Sequence, residues 1–154
     1  MKHRPQDEAI MDGLLEFLGT NNPAKEVPVA AGVYDSNLQP LALSTNHRES
    51  TSDPSAHAEI CVLREIGQKR GNWNLEGLTL FVTLEPCLMC AGAILQARIS
   101  RVVFGAFNTE ISSGSTIEHL RQGNTQLEVV GGVREEKCSL VLSKWFSKQR
   151  IEKG

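Results

Sequence analysis

Residues 83–90 place two cysteines three positions apart, Cys87 and Cys90, with Pro86 just ahead of the first, and this spacing constrains the chain more than any other feature. Proline lacks an N–H and suits a helix start, and the helix dipole there favours thiolates. Such a pair supplies half of a tetrahedral metal site. Zinc takes four ligands from sulfur, nitrogen or oxygen, and thirty residues upstream His57, Ala58 and Glu59 open another helix-like run. His57, Cys87 and Cys90 then make three protein ligands, leaving a fourth position for water. That open arrangement belongs to catalytic rather than structural zinc.

The periodicity of the rest organises itself around these two segments. Ile10, Leu14 and Leu18 recur every four residues between acids and predict an amphipathic first helix ending near 19–23. Residues 27–34 are apolar and β-rich, 35–40 carry turn residues and 41–43 resume, which reads as a hairpin. Residues 46–54 read as a polar loop delivering the chain to His57 in the first turn of a helix. That helix carries Ile60, Leu63 and Ile66 on one face and stops at Lys69, Arg70 and Gly71. A buried strand at 78–84 hands over to Pro86 and Cys87, and the small residues Ala91, Gly92 and Ala93 let the following helix approach a neighbour closely. A strand at 101–107, a loop at 108–115, a short helix from Thr116, a strand at 127–130 and a helix over about 134–150 complete the expectation. Strands alternating with helices after a hairpin imply one α/β domain over residues 1–154, with the site at the carboxyl ends of strands.

Composition narrows the class. Sixteen Lys and Arg against eighteen Asp and Glu give a net charge of −2, so a nucleic-acid partner would have to be met by a local basic patch rather than bulk charge. Four cysteines are too few and too unevenly spaced for a secreted disulfide framework, and a reducing cytoplasm fits them. Asp7, Glu8, Asp12 and Glu16 interrupt what would be the apolar region of a signal peptide, and no run of about 18 apolar residues offers a membrane span.

Each motif has a plainer reading. A lone Cys-x-x-Cys also serves redox chemistry, but that leaves His57 and Glu59 unexplained. Cys61, four residues after His57, could close a structural Cys3His site, which leaves Glu59 without a task; otherwise Cys61 is a small core residue. Glu59 by itself is a first-turn acid favoured by the helix dipole. Beside three zinc ligands it reads as a proton shuttle that takes a proton from water and hands it on to the reacting group. His47 reads as a loop residue within reach of substrate, and His119 as a polar helix position. Lys144, Lys148, Arg150 and Lys153 surround Trp145 and Phe146, a solvated helix with its aromatics packed on the core and a basic face open to phosphates.

His-x-Glu followed by Pro-Cys-x-x-Cys is the known signature of zinc nucleobase deaminases. Asp53-Pro54, His57-Ala58-Glu59, the run from Thr83 to Cys87, Cys90-Ala91-Gly92-Ala93, Arg98-Ile99, Arg101-Val102-Val103-Phe104-Gly105-Ala106 and Glu26-Val27-Pro28-Val29 together resemble the bacterial tRNA-specific adenosine deaminases. The resemblance spans residues 26–150. It implies a three-layer α/β/α cytidine-deaminase-like fold with a mixed sheet of about five strands. It also implies a homodimer with one zinc ion per subunit, a tRNA anticodon stem-loop as partner, and conversion of the wobble adenosine to inosine. Carried over by position, His57, Cys87 and Cys90 match the zinc ligands and Glu59 the proton shuttle. Asn46, with Ala58, Leu84 and Asn108, matches substrate contacts.

The likeness is weakest after Ala106. Where bacterial members usually carry a charged residue, Asp and a Lys- and Gly-rich loop, this chain has Phe107, Asn108, Thr109, Glu110 and Ile111, one residue shorter. Glu110, standing where a cation is usual, would repel phosphate, and residues 123–126 are shortened and lack an Asn-His pair. Two other readings stay open from sequence: a deaminase of free guanine, cytosine or nucleosides, and a non-catalytic zinc-stabilised subunit or binding module.

Overall fold

In the computed structural model, which describes residues 3–110 and 115–153, eleven elements follow in order. They are α1 (Pro5–Asn21), β1 (Ala30–Tyr34), β2 (Pro40–Thr45), α2 (Arg48–Thr51), α3 (Ala58–Arg70) and β3 (Thr79–Leu84), then α4 (Leu88–Gln96), β4 (Arg101–Ala106), α5 (Ser115–Gly123), β5 (Glu128–Val130) and α6 (Glu135–Lys153). The five strands form one mixed sheet in the order β2-β1-β3-β4-β5. β1 runs antiparallel to β2 and β3, whereas β3, β4 and β5 are parallel, as helical crossovers demand.

Alternation along buried strands divides the core in two. Ala31, Val33, Leu80, Val82, Val102 and Phe104 face α3, α4 and α5 through Val62, Ile66, Ile94 and Leu120. Ala30, Tyr34, Phe81 and Val103 face the opposite way, onto Met11, Leu14 and Leu18 of α1 and Cys138 of α6. Sheets covered on both faces need strands without a polar side, and β1, β3 and β4 meet that need. Gly105 lets α6 close down on β4: a Cβ there would lie 2.8 Å from the Thr83 carbonyl oxygen and run into the Cys138 sulfur.

Several expectations are refined. The buried stripe of α1 is Asp7, Met11, Leu14 and Leu18, with Ile10 only half-buried. The expected loop at 46–54 contains the short helix α2, because buried Glu26 accepts the N–H groups of Glu49 and Ser50 at 2.9 Å each and ties down its first turn. His57 and Cys87 occupy N-cap positions rather than first-turn positions, and Pro86 lies two residues before the first residue of α4. Cys61 is half-buried rather than a core residue. Phe146 leaves the core altogether, 41% exposed and edge-on to half-buried Trp145 at 5.0 Å. The 107–111 loop is visible as far as Glu110, and Ile111 lies outside the described residues.

A buried ion pair joins the ends of the fold. Arg101 donates from Nη1 to Asp7 Oδ1 at 2.9 Å and from Nη2 to Oδ2 at 2.7 Å, and its Nε reaches Glu128 at 3.1 Å. The start of α1 is thereby pinned to β4 and β5. Burial alone raises the Asp7 carboxyl, but the Arg101 guanidinium and the Arg4 N–H outweigh it and hold the group below 3.8. A carboxylate depressed on folding contributes stability above its unfolded pKa and loses it as pH falls through the folded value. Asp7→Asn should therefore cost about 3 kcal/mol at pH 7 in denaturant unfolding, and its deficit against the parent should shrink as pH drops below about 4.

Candidate metal centre and substrate cavity

Two helices start at one place, and this is what builds the site. His57 caps α3 with extended backbone, φ −67° and ψ 154°, and Cys87 caps α4 with φ −73° and ψ 174°. Cys90 lies buried in the first turn of α4. Strand β3 delivers Cys87 three residues beyond its end, and the packing of α3 and α4 on the same face of the sheet brings His57 beside it.

His57 Nδ1 lies 3.6 Å from Cys87 Sγ and 3.4 Å from Cys90 Sγ, and the three ligand atoms all fall within 4.8 Å of one another. Tetrahedral zinc, with bonds of about 2.3 Å to sulfur and about 2.1 Å to nitrogen, holds such atoms about 3.6 Å apart. One nitrogen and two sulfurs therefore fit zinc in both chemistry and spacing. Cys61 stands outside the group, beside Ser44. The expected rival, a closed Cys3His site, is therefore absent among the described residues.

Protonation follows the crowding. The hydrogen bond to the Cys90 thiol, joined by that to the His57 ring, outweighs burial and brings the Cys87 thiol down to about 3. The same sulfur contact, reinforced by burial, drives Cys90 upward, and the bond to Cys87 raises His57. Glu59, only 4% exposed, is pushed up by burial. Its carboxyl neighbours both His57 and Cys90.

A cavity of about 450 Å³ opens over this group, lined among others by His57, Glu59, Cys87, Asn46, Leu84 and Asn108. Asn46 is held at both ends of its amide. Its Oδ1 accepts the Ala58 N–H at 2.8 Å and its Nδ2 donates to the Val27 carbonyl at 3.0 Å. Ala58 is fully buried and does not line the cavity, so its backbone, rather than its methyl, bears on the site. Asn108 is half-buried at the cavity edge, its N–H donating to Glu85 Oε1 at 3.0 Å. Its Oδ1 accepts the Glu110 N–H at 3.1 Å. His47 turns away from the cavity, its ring nitrogens meeting Ser50 at 3.0 Å and Thr45 at 3.5 Å.

Sequence reasoning missed Arg48, Glu85 and Phe146 as contributors, whereas Phe107 opens the divergent loop it had singled out; all four line the cavity. Glu85 carried a signal, an acid between an apolar strand and Pro86. It is 1% exposed, and among the described residues its Oε2 has no hydrogen-bond partner. Phe146 arrives on α6, eighty-nine residues from His57 in sequence, and nothing local announces it.

Residues 4–106 match the family model described as the cytidine and deoxycytidylate deaminase zinc-binding region. A tRNA-specific adenosine deaminase of Bacillus subtilis (strain 168) is 42% identical over 151 residues, covering 96% of this chain and 93% of the relative. Another from Haemophilus influenzae is 41% identical over 150 residues, covering 96% and 87%. A solved structure from work on A-to-I editing by tRNA:A34 deaminases at the wobble position of transfer RNA superposes with a TM-score of 0.77 at 31% identity, covering 87% of this chain and 99% of its own. A guanine deaminase from Nitrosomonas europaea shares the fold with a TM-score of 0.80 at 22% identity, covering 94% and 86%. The chain belongs to the cytidine and deoxycytidylate deaminase family and, within it, to the tRNA-specific adenosine deaminases.

Proposed function

We propose that this chain hydrolytically deaminates adenosine to inosine at the wobble position of a tRNA anticodon. The observation that carries the reading is a buried carboxylate, Glu59, beside a three-ligand zinc cluster at the floor of a cavity, in a chain related to tRNA-specific adenosine deaminases. His57, Cys87 and Cys90 would hold one zinc ion per subunit. Zinc so held supplies Lewis acidity that brings the ionisation of water down to near-neutral pH.

The chain's own residues do the rest. Glu59 takes one proton from water and gives it to the purine ring nitrogen as the C–O bond forms, then takes the proton of the added hydroxyl and gives it to the amine as the C–N bond breaks and ammonia leaves. Asn46 spends one amide hydrogen and one lone pair on backbone and retains one of each for the edge of a base. Leu84 would offer an apolar wall, and Asn108, which lines the cavity, would give its free amide N–H to a ribose hydroxyl. The target base must leave its stack to enter, which an anticodon loop permits.

The 154 residues act as a single domain in a cytoplasmic homodimer. Support for a second copy comes from Trp73, Leu88 and Met89, which are 65%, 55% and 42% exposed around α3 and α4. None of the described helices is long and apolar enough to cross a membrane.

Zinc-loaded protein should form inosine at the wobble adenosine of an anticodon stem-loop and leave free guanine and cytosine untouched; the reverse pattern would replace this reading with a free-base deaminase. Glu59→Ala should cut turnover by about 10³-fold while metal analysis still finds one zinc per chain, and unchanged turnover would reject the shuttle. Light scattering should give twice the chain mass, and a monomer at working concentration would reject the dimer.

A further inference from the structure

The cavity is short of positive charge for a site that must hold a polyanion. Among the described residues lining it, and apart from the residues that would hold zinc, Arg48 is the one cation, against Glu59, Glu85 and Glu110. What its rim offers instead is aromatic surface. Phe107 and Phe146 both line the cavity and are 39% and 41% exposed. An exposed phenyl ring loses solvation free energy unless something covers it, and single-stranded RNA supplies flat, unstacked bases.

Phe107 is also held in place. Its ring packs edge-on to fully buried Phe104, centroids 5.1 Å apart and planes at 90°. The chain passing behind is glycine for two reasons: a Cβ on Gly131 would lie 2.7 Å from Cε1 of Phe104, and Gly132, whose Cβ would meet Phe107 in ordinary contact at 3.5 Å, has φ +83°. On the other side the buried Glu85 clips the turn twice. Its N–H donates to the Ala106 carbonyl at 2.8 Å, and its Oε1 accepts the Asn108 N–H at 3.0 Å. Phe107 sits between those two anchor points. An aromatic fixed in this way gives up little rotamer freedom when a base lands on it.

We propose that Phe107 is a stacking platform for the unpaired nucleobase adjacent to the target adenosine, so that this chain grips RNA at that point by its base rather than by its phosphate. The proposal rests on the function proposed above. Stacking tolerates every base, so Phe107 sets affinity and register at that nucleotide and not its identity. Glu85 is its positioning residue.

The test is a cycle of protein variants against anticodon stem-loops made abasic at one or the other nucleotide flanking the target. With intact RNA, Phe107→Ala should raise KM about tenfold with kcat within about threefold, and Phe107→Tyr should restore KM where Phe107→Leu does not. The parent should lose about tenfold in kcat/KM on one of the two abasic substrates, and Phe107→Ala should lose nothing further on that substrate. Fully additive losses, a Leu variant as good as Tyr, or an Ala variant equal to the parent would overturn the platform while leaving the deaminase reading intact. No inosine from the parent on intact RNA would overturn both. Because a base and not a phosphate is held, the effect of Phe107→Ala should persist between low and high salt, and an effect that vanishes at high salt would also overturn it.

Discussion

One imidazole nitrogen and two sulfurs must meet within a few ångströms, and that requirement orders the fold. It demands that two helices begin at the same point, since His57 and Cys87 cap α3 and α4 and Cys90 lies a single turn further on. Helix starts are suited to this, because their free N–H groups and dipoles favour the anionic form of a thiol. Two helices can begin side by side only if they lie on one face of a shared sheet. The order β2-β1-β3-β4-β5, with α3 and α4 packed against the same core layer, supplies that arrangement.

The opposite layer holds the sheet still. α1 and α6 cover the second face, and the Asp7–Arg101 pair fastens the first helix to the parallel edge of the sheet. α6 does more than cover: because Gly105 lets it approach β4, its side chains Leu142 and Phe146 reach the cavity wall. A carboxylate at each border of the site fixes a backbone segment. Glu26 orders the turn carrying Asn46 and Arg48, and Glu85 orders the turn carrying Phe107 and Asn108. Both are buried acids whose role is to accept N–H groups that neighbouring turns would otherwise leave unpaired.

What sequence made legible, and what it hid, follows from the range of the interactions. The ligand cluster was readable because Cys87 and Cys90 are bound by helical spacing and His57 opens a run with its own period. The layered α/β order was readable from apolar strands between amphipathic helices. The exact caps were not, since the two-residue offset between Pro86 and the start of α4 depends on how β3 ends and not on propensity. The helix within 46–54 escaped because Glu26, twenty-three residues before Glu49, stabilises it. Phe146 was assigned to the core on its hydrophobicity, but at the site end of α6 it meets cavity instead of sheet. The divergence after Ala106 was visible in sequence. Its consequence, an aromatic rim in place of a charged one, needed the Phe104 contact and the glycines at 131 and 132 to be seen in space.

The central claim is a zinc centre of three protein ligands with an open fourth position. X-ray absorption at the zinc edge of the loaded protein tests it most directly. Two sulfurs at about 2.3 Å and two lighter donors at about 2.0–2.1 Å are predicted, one of the lighter donors being His57 and the other solvent. A third sulfur in the shell would bring Cys61 into the site, close it to water and contradict the account.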